Sequence, residues 1–297
     1  MRLPAFFINH GPPSLGAPEF ESSPTVGVWR AIGKLIHEQW RQSQVKGVVM
    51  VSAHWRAAGI EVTSAENPAI FHDFNGFPSV SNLSYSPRGS TTLATQLAKF
   101  FDSSPIPCSL NPLRAFDHGA WCPLLQMLPE ADVPVFEMSI ASHHNPAWHF
   151  AVGIVLRQVR DEGYIVVGSG GSVHNLAALD DEEVFQESVL PPLMKSSEQF
   201  YNPMKHSGSA ADVESWALDF ERDLVETLER AGADPKPLLS LAQSHPNLRR
   251  AHPTMDHLMP LLVVAGTAHA DETVEQVWRS YICGGGLSLG VWSVGGV

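Results

Sequence analysis

The sequence predicts an α/β fold: a single domain with a mixed or largely parallel central sheet flanked by helices. Three observations carry that reading. Short apolar runs alternate with longer segments of helical spacing, the pattern that lays helices against the faces of a sheet. One run, Val48-Val49-Met50-Val51, is continuously apolar, as a strand covered on both faces requires. No boundary signal, internal repeat or low-complexity tract divides the chain, so residues 1–297 read as one domain.

Each element has a local reason. Strands are expected at residues 4–8, 47–52, 133–139, 164–168 and 287–293, where apolar residues run between turn formers. Helices are expected at 25–42 and 211–230 from their apolar spacing, and at 91–101 behind a Ser90 cap. Asn145-Pro146 puts a good N-cap before a proline at the first helical position, which starts a helix reaching Asp161. A buried helix is expected at 255–264, with Pro260 kinking it from inside. Residues 180–210 read as an irregular excursion or lid, and Gly284-Gly285-Gly286 as a turn before the last strand.

Composition excludes several function classes. With 44% hydrophobic and 17% charged residues the chain is too apolar for a disordered protein. Its 19 Lys and Arg against 31 Asp and Glu give a formal charge of −12, without a basic cluster, so no nucleic-acid partner is expected. No apolar run approaches the ~20 residues that span a bilayer, so no membrane is expected either. The N-terminus lacks a signal-peptide core, and Cys108, Cys122 and Cys283 are isolated and odd in number. A cytoplasmic protein without a disulfide framework is the expectation.

Histidine, with 14 copies, is the unusual count. His10, His54 and His174 each follow an expected strand, and ligands of open α/β sheets bind outside the strands' carboxyl ends. If those strands are parallel neighbours, the three imidazoles converge, and neutral imidazole suits Zn, Fe, Cu or Ni. Singly, each is more often a half-buried, hydrogen-bonded side chain; matching positions reverse the odds.

His118, in Phe116-Asp117-His118-Gly119-Ala120-Trp121, reads equally as an acid/base group or as part of a capping motif in which Asp117 serves the next helix. His257 stands in Pro253-Thr254-Met255-Asp256-His257, whose spacing is not that of a His-Glu-x-x-His zinc helix. His72, Phe74 and Phe77 lie in an aromatic loop that could stack a planar substrate, with Trp55 and Trp121 as further walls; ordinary packing explains them nearly as well. His143, His144 and His149 surround a helix start and read as surface or capping residues. Cys122 has no visible base partner and is not expected to act as a nucleophile.

In order along the chain, Asn9-His10-Gly11-Pro12-Pro13, Val51-Ser52-Ala53-His54-Trp55, His72-Asp73-Phe74-Asn75-Gly76-Phe77-Pro78, the His118 segment, Gly168-Ser169-Gly170-Gly171-Ser172-Val173-His174-Asn175-Leu176 and the His257 segment form a series. That series resembles the class III extradiol ring-cleavage dioxygenases, most closely the 4,5-DOPA extradiol dioxygenase branch. The resemblance implies a mononuclear non-haem metal, Fe(II) as the catalytic ion with Zn(II) possible in its place, and a catechol substrate opened with O2. It makes His10, His54 and His257 metal ligands, His174 either a ligand or the catalytic base, and His118 a group acting on substrate or dioxygen. The protocatechuate enzymes use two His and one Glu; no Glu stands near position 257, and Asp256 is the lesser candidate there. Two other readings stay open: a zinc-dependent hydrolase using the same histidines to activate water, and a non-enzymatic scaffold on the same fold.

Overall fold

The computed structural model describes residues 2–179, 187–190, 209–231 and 234–295. Its strands are β1 (Ala5–Asn9), β2 (Gly47–Ala57), β3 (Ile60–Thr63), β4 (Cys108–Asn111), β5 (Val135–Ala141), β6 (Tyr164–Gly170), β7 (Glu187–Val189), β8 (Val274–Trp278), β9 (Ser280–Ile282), β10 (Leu287–Ser288) and β11 (Val291–Val294). Among the described residues, eight of them form one sheet in the order β4-β3-β5-β2-β6-β1-β11-β8, and β10-β9-β7 form a small second one. The centre of the large sheet, β5-β2-β6-β1, is parallel. Antiparallel pairings join β3 to β5 on one side and β11 to β1 and β8 on the other. The predicted α/β class with a mixed, largely parallel sheet holds.

Alternation along the strands makes the two faces. Phe6, Ile8, Val48, Met50, Ile165 and Val167 point into a core shared with helices α1 (Pro24–Arg41) and α4 (His118–Met127). Ala5, Phe7, Val49, Val51 and Val166 point the other way, towards α5 (Pro146–Asp161) and α9 (Met259–Gly266). Of the remaining helices, α2 is Pro78–Ser81 and α3 is Thr91–Lys99, while α6 (Ser215–Ala231), α7 (Lys236–Ser244) and α8 (Leu248–Ala251) lie between β7 and α9 in sequence. No helix of the described residues is long and apolar enough to cross a membrane.

The caps read from sequence are formed. Asn145 Oδ1 accepts the Trp148 N–H at 3.1 Å, Pro146 opens α5, and Ser90 Oγ accepts from Leu93 at 3.4 Å. Three expectations need correction. Pro260 does not kink a helix: residues 256–258 form a separate 3-10 turn and Pro260 sits in the first turn of α9, where its missing N–H costs nothing. The run 287–293 is two strands in two sheets, because the chain leaves β10 at Leu289 and joins β1 as β11. His149 is a buried strut and no surface residue: its Nε2 accepts the Ala141 N–H at 3.0 Å and its Nδ1 donates to Asn145 O at 2.7 Å, tying α5 to β5. The expected lid at 180–210 falls largely outside the described residues; within it, Glu187 on β7 accepts hydrogen bonds from Ser23 and Thr25 at the start of α1.

Candidate metal centre

The condition on the strands is met, since β2, β6 and β1 are consecutive and parallel, with Ser52, Ser169 and Ile8 in one row across them. His10 lies two residues beyond Ile8 and so leaves the sheet on the α4 face. His54 belongs to a longer β2 than expected. Val51 pairs with Met138 and Arg56 with Ile140, so β2 spends five steps where β5 spends two. The extra residues bow the strand out, and His54 rides on the bow.

His257 arrives from the opposite layer, in the 3-10 turn before α9. Glycines on β6 let it approach: a Cβ on Gly168 would stand 2.7 Å from Pro260 O, and one on Gly170 2.2 Å from His257 O. The Gly171 N–H then donates to His257 O at 2.9 Å.

The three rings meet edge to edge. His54 Nε2 is 3.0 Å from His10 Nε2 and 3.2 Å from His257 Nε2, and one ring nitrogen of each lies within 4.8 Å of the others. Burial, more than the neighbouring imidazoles, pushes His10 well below the ordinary histidine range; burial also brings His54 down to about 4 and His257 well down. All three are therefore neutral at pH 7, and a neutral ring has one N–H. His257 uses its own on Asp256, whose Oδ1 accepts from Nδ1 at 3.1 Å. Its Nε2 thus presents a lone pair to His54. Buried lone pairs crowded together are unfavourable unless a proton or cation lies among them, and three neutral nitrogen donors are what a divalent transition metal takes. The residues fit such an ion.

Asp256 serves that arrangement without joining it. Burial opposes its ionisation, yet hydrogen bonds from His257 and Thr254 hold its carboxyl well below the usual range. His174 is outside the group of three. Its ring stacks on His257 at 3.5 Å between centroids and 8° between planes, and burial lowers it to about 4.

His118 opens α4 with its ring 4.0 Å from that of His54. Asp117 holds the N-cap position of this helix, but its side chain makes no cap hydrogen bond, and Asp73, from the aromatic loop, supplies it instead. Asp73 Oδ1 accepts the His118 backbone N–H and Oδ2 the Nδ1–H, both at 2.9 Å. Burial works against the Asp73 charge, but the hydrogen bonds from His118 win and keep the carboxyl ionised below its usual range. Asp117 instead faces inward, accepting from Ser52 Oγ and Arg114 at 2.7 Å each. The sequence offered no signal for the Asp73 pairing, which spans 45 positions.

The aromatic residues divide. Phe74 packs against His118 at 5.7 Å, His72 at 5.6 Å and Phe77 at 5.8 Å. Trp121 is fully buried, with Nε1 donating to Phe71 O, and reaches the site through Phe74 and His72, which rest on it. Trp55 is buried too and carries the Arg114 guanidinium 4.9 Å over its ring. Burial pushes the Cys122 thiol well up, in keeping with an inert role.

The model of the family described as the catalytic LigB subunit of aromatic ring-opening dioxygenase matches residues 4–288. The chain belongs to this family, the class III extradiol dioxygenases, whose members are oxidoreductases that use a non-haem metal. A 4,5-DOPA dioxygenase extradiol of Escherichia coli K12 is 32% identical over 276 residues, 92% of this chain and 88% of its own length. One from Beta vulgaris is 28% identical, over 96% of this chain and 94% of its own. The crystal structure of an uncharacterized Escherichia coli K12 protein superposes with a TM-score of 0.69 at 26% identity, covering 99% of this chain and 100% of that one. An aromatic small molecule and O2 are accordingly the reactants of the family's chemistry.

Proposed function

We propose that this protein is an extradiol ring-cleavage dioxygenase acting on a catechol-type ring, DOPA or a near relative, with Fe(II) held by His10, His54 and His257. The observation that carries the reading is the meeting of three neutral Nε2 atoms, two of them on buried histidines, at the carboxyl ends of parallel strands. The similarity to 4,5-DOPA dioxygenases supports the substrate class. Bound Fe(II) supplies Lewis-acid activation of the diol and electrons for dioxygen.

The chain's own residues do the rest. His118 donates its Nδ1–H to the Asp73 carboxylate, so its Nε2 is free to take a hydroxyl proton and return it. Asp73 stabilises the imidazolium that forms. His174 stands outside the group of three with its ring stacked on His257, the place of a second proton acceptor beside the donors. This favours the role of base over that of ligand. Phe74, Phe77 and His72 offer the surface on which an aromatic ring stacks; Trp121 supports His72 and Phe74 from behind, while Trp55 packs on Arg114.

The test is an oxygen electrode and a spectrum. Protein loaded anaerobically with Fe(II), then given catechols in air, is expected to consume one O2 per ring and form a yellow semialdehyde. A colourless dicarboxylic muconate means cleavage between the hydroxyls and refutes the extradiol reading. No oxygen uptake with any catechol, alongside ester or amide hydrolysis with Zn(II), would favour the hydrolase that the same three imidazoles could build.

A further inference from the structure

Ser169 is fully buried in β6, between the first turn of α4 and the ring of His10. Its hydroxyl has one hydrogen. That hydrogen is committed to Gly119 O, the short contact by which Ser169 is anchored. His10 Nδ1 lies 2.9 Å from the same oxygen, which can then only accept. His10 must donate through Nδ1–H, and its Nε2 must carry a bare lone pair towards His54 and His257.

The anchor itself is rigid. Gly119 is wedged into the site: a Cβ there would stand 2.9 Å from both His54 Cδ2 and Ser52 Oγ. Ser52 in turn accepts the His54 N–H at 3.2 Å and donates to the buried Asp117. The carbonyl that orders Ser169 is therefore fixed by the turn that presents His118.

We propose that Ser169 is a positioning residue which, through the Gly119 carbonyl, sets the tautomer and orientation of His10 for metal binding. His10 and His257 are then matched: a serine fixes one and a carboxylate the other, each leaving Nε2 free. Outer hydrogen-bond partners of metal-bound histidines have this effect generally, and their removal typically costs about 10–100-fold in metal affinity. The inference rests on the reading of His10 as a metal donor.

Long-range nitrogen–proton correlation of the histidine rings in the metal-free wild-type protein tests it without a mutation. The expected result is a proton on His10 Nδ1 and none on Nε2. Ser169→Ala should let the Nε2–H form appear and weaken Zn(II) binding about 10–100-fold in competition with a chromophoric chelator. Ser169→Thr, which keeps the hydroxyl, should restore both. A wild-type His10 carrying its proton on Nε2, or a Ser169→Ala protein with unchanged Zn(II) affinity, overturns the proposal. A wild-type chain with the Nδ1–H form that binds no metal overturns the donor assignment beneath it, so the two failures read differently.

Discussion

His118 shows how a single residue's role depends on a partner far away in sequence. Its neighbour Asp117 reads as a helix cap, yet Asp117 is claimed by Ser52 and Arg114, and Asp73 does the capping. Because Asp73 holds both the backbone and the ring of His118, helix start and ring orientation are set together. His118→Ala is expected to retain metal and to lower catechol turnover by about 10²–10⁴-fold, the usual worth of a positioned acid/base. Metal content and kcat measured on the same preparation check this. Metal loss equal to that of His10→Ala would move His118 among the ligands. The histidines themselves were legible because each follows a strand or sits in a short motif. Their partners Asp73, Ser169 and Gly119 were not, since nothing local distinguishes them from loop and strand residues.

Elements with a local cause were the readable ones. Helix α5 starts where Asn145-Pro146 says it should, because cap and proline act within one turn. Loss of that cap in Asn145→Ala should cost about 1 kcal/mol, read from urea unfolding. The bow in β2 was not readable. Residues 53–57 look like a departure from the strand, but pairing with β5 resumes at Arg56, a tertiary effect. The split of 287–293 is of the same kind. Gly170 illustrates a close approach that a sequence hints at only through its small residues. In Gly170→Ala the new methyl would meet the His257 carbonyl, a backbone atom that cannot swing aside. The expected result is a stability loss of about 1–3 kcal/mol together with weaker Zn(II) binding, because the strained atom belongs to the metal site. Unchanged stability and affinity would show that the two backbones are not packed as described.

At the scale of the whole molecule, the fold brings four parallel strands into the centre, so that their ends collect groups from both helical layers. It also buries histidines outside the candidate metal centre. His149 and His252 are held at about 4 by burial, against 6.5 in a free side chain. Between those values the unfolded chain takes up protons that the folded chain refuses. Stability is therefore full above pH 6.5 and falls as pH drops towards 4, by at most roughly 3 kcal/mol for each group. Urea midpoints of the metal-free protein should fall from about pH 7 to about pH 5, and His149→Gln should flatten the slope. A midpoint independent of pH would contradict the burial.

The central claim is that His10, His54 and His257 hold one metal ion. His54 is the middle donor, within 3.2 Å of both partners, so its removal leaves two nitrogens facing no third. The direct measurement is metal content after loading with Fe(II) or Zn(II) and desalting, for the wild-type protein and His54→Ala side by side. The account predicts one ion per chain in the wild type and none retained in the variant, with folding unchanged. One ion per chain in both would contradict it.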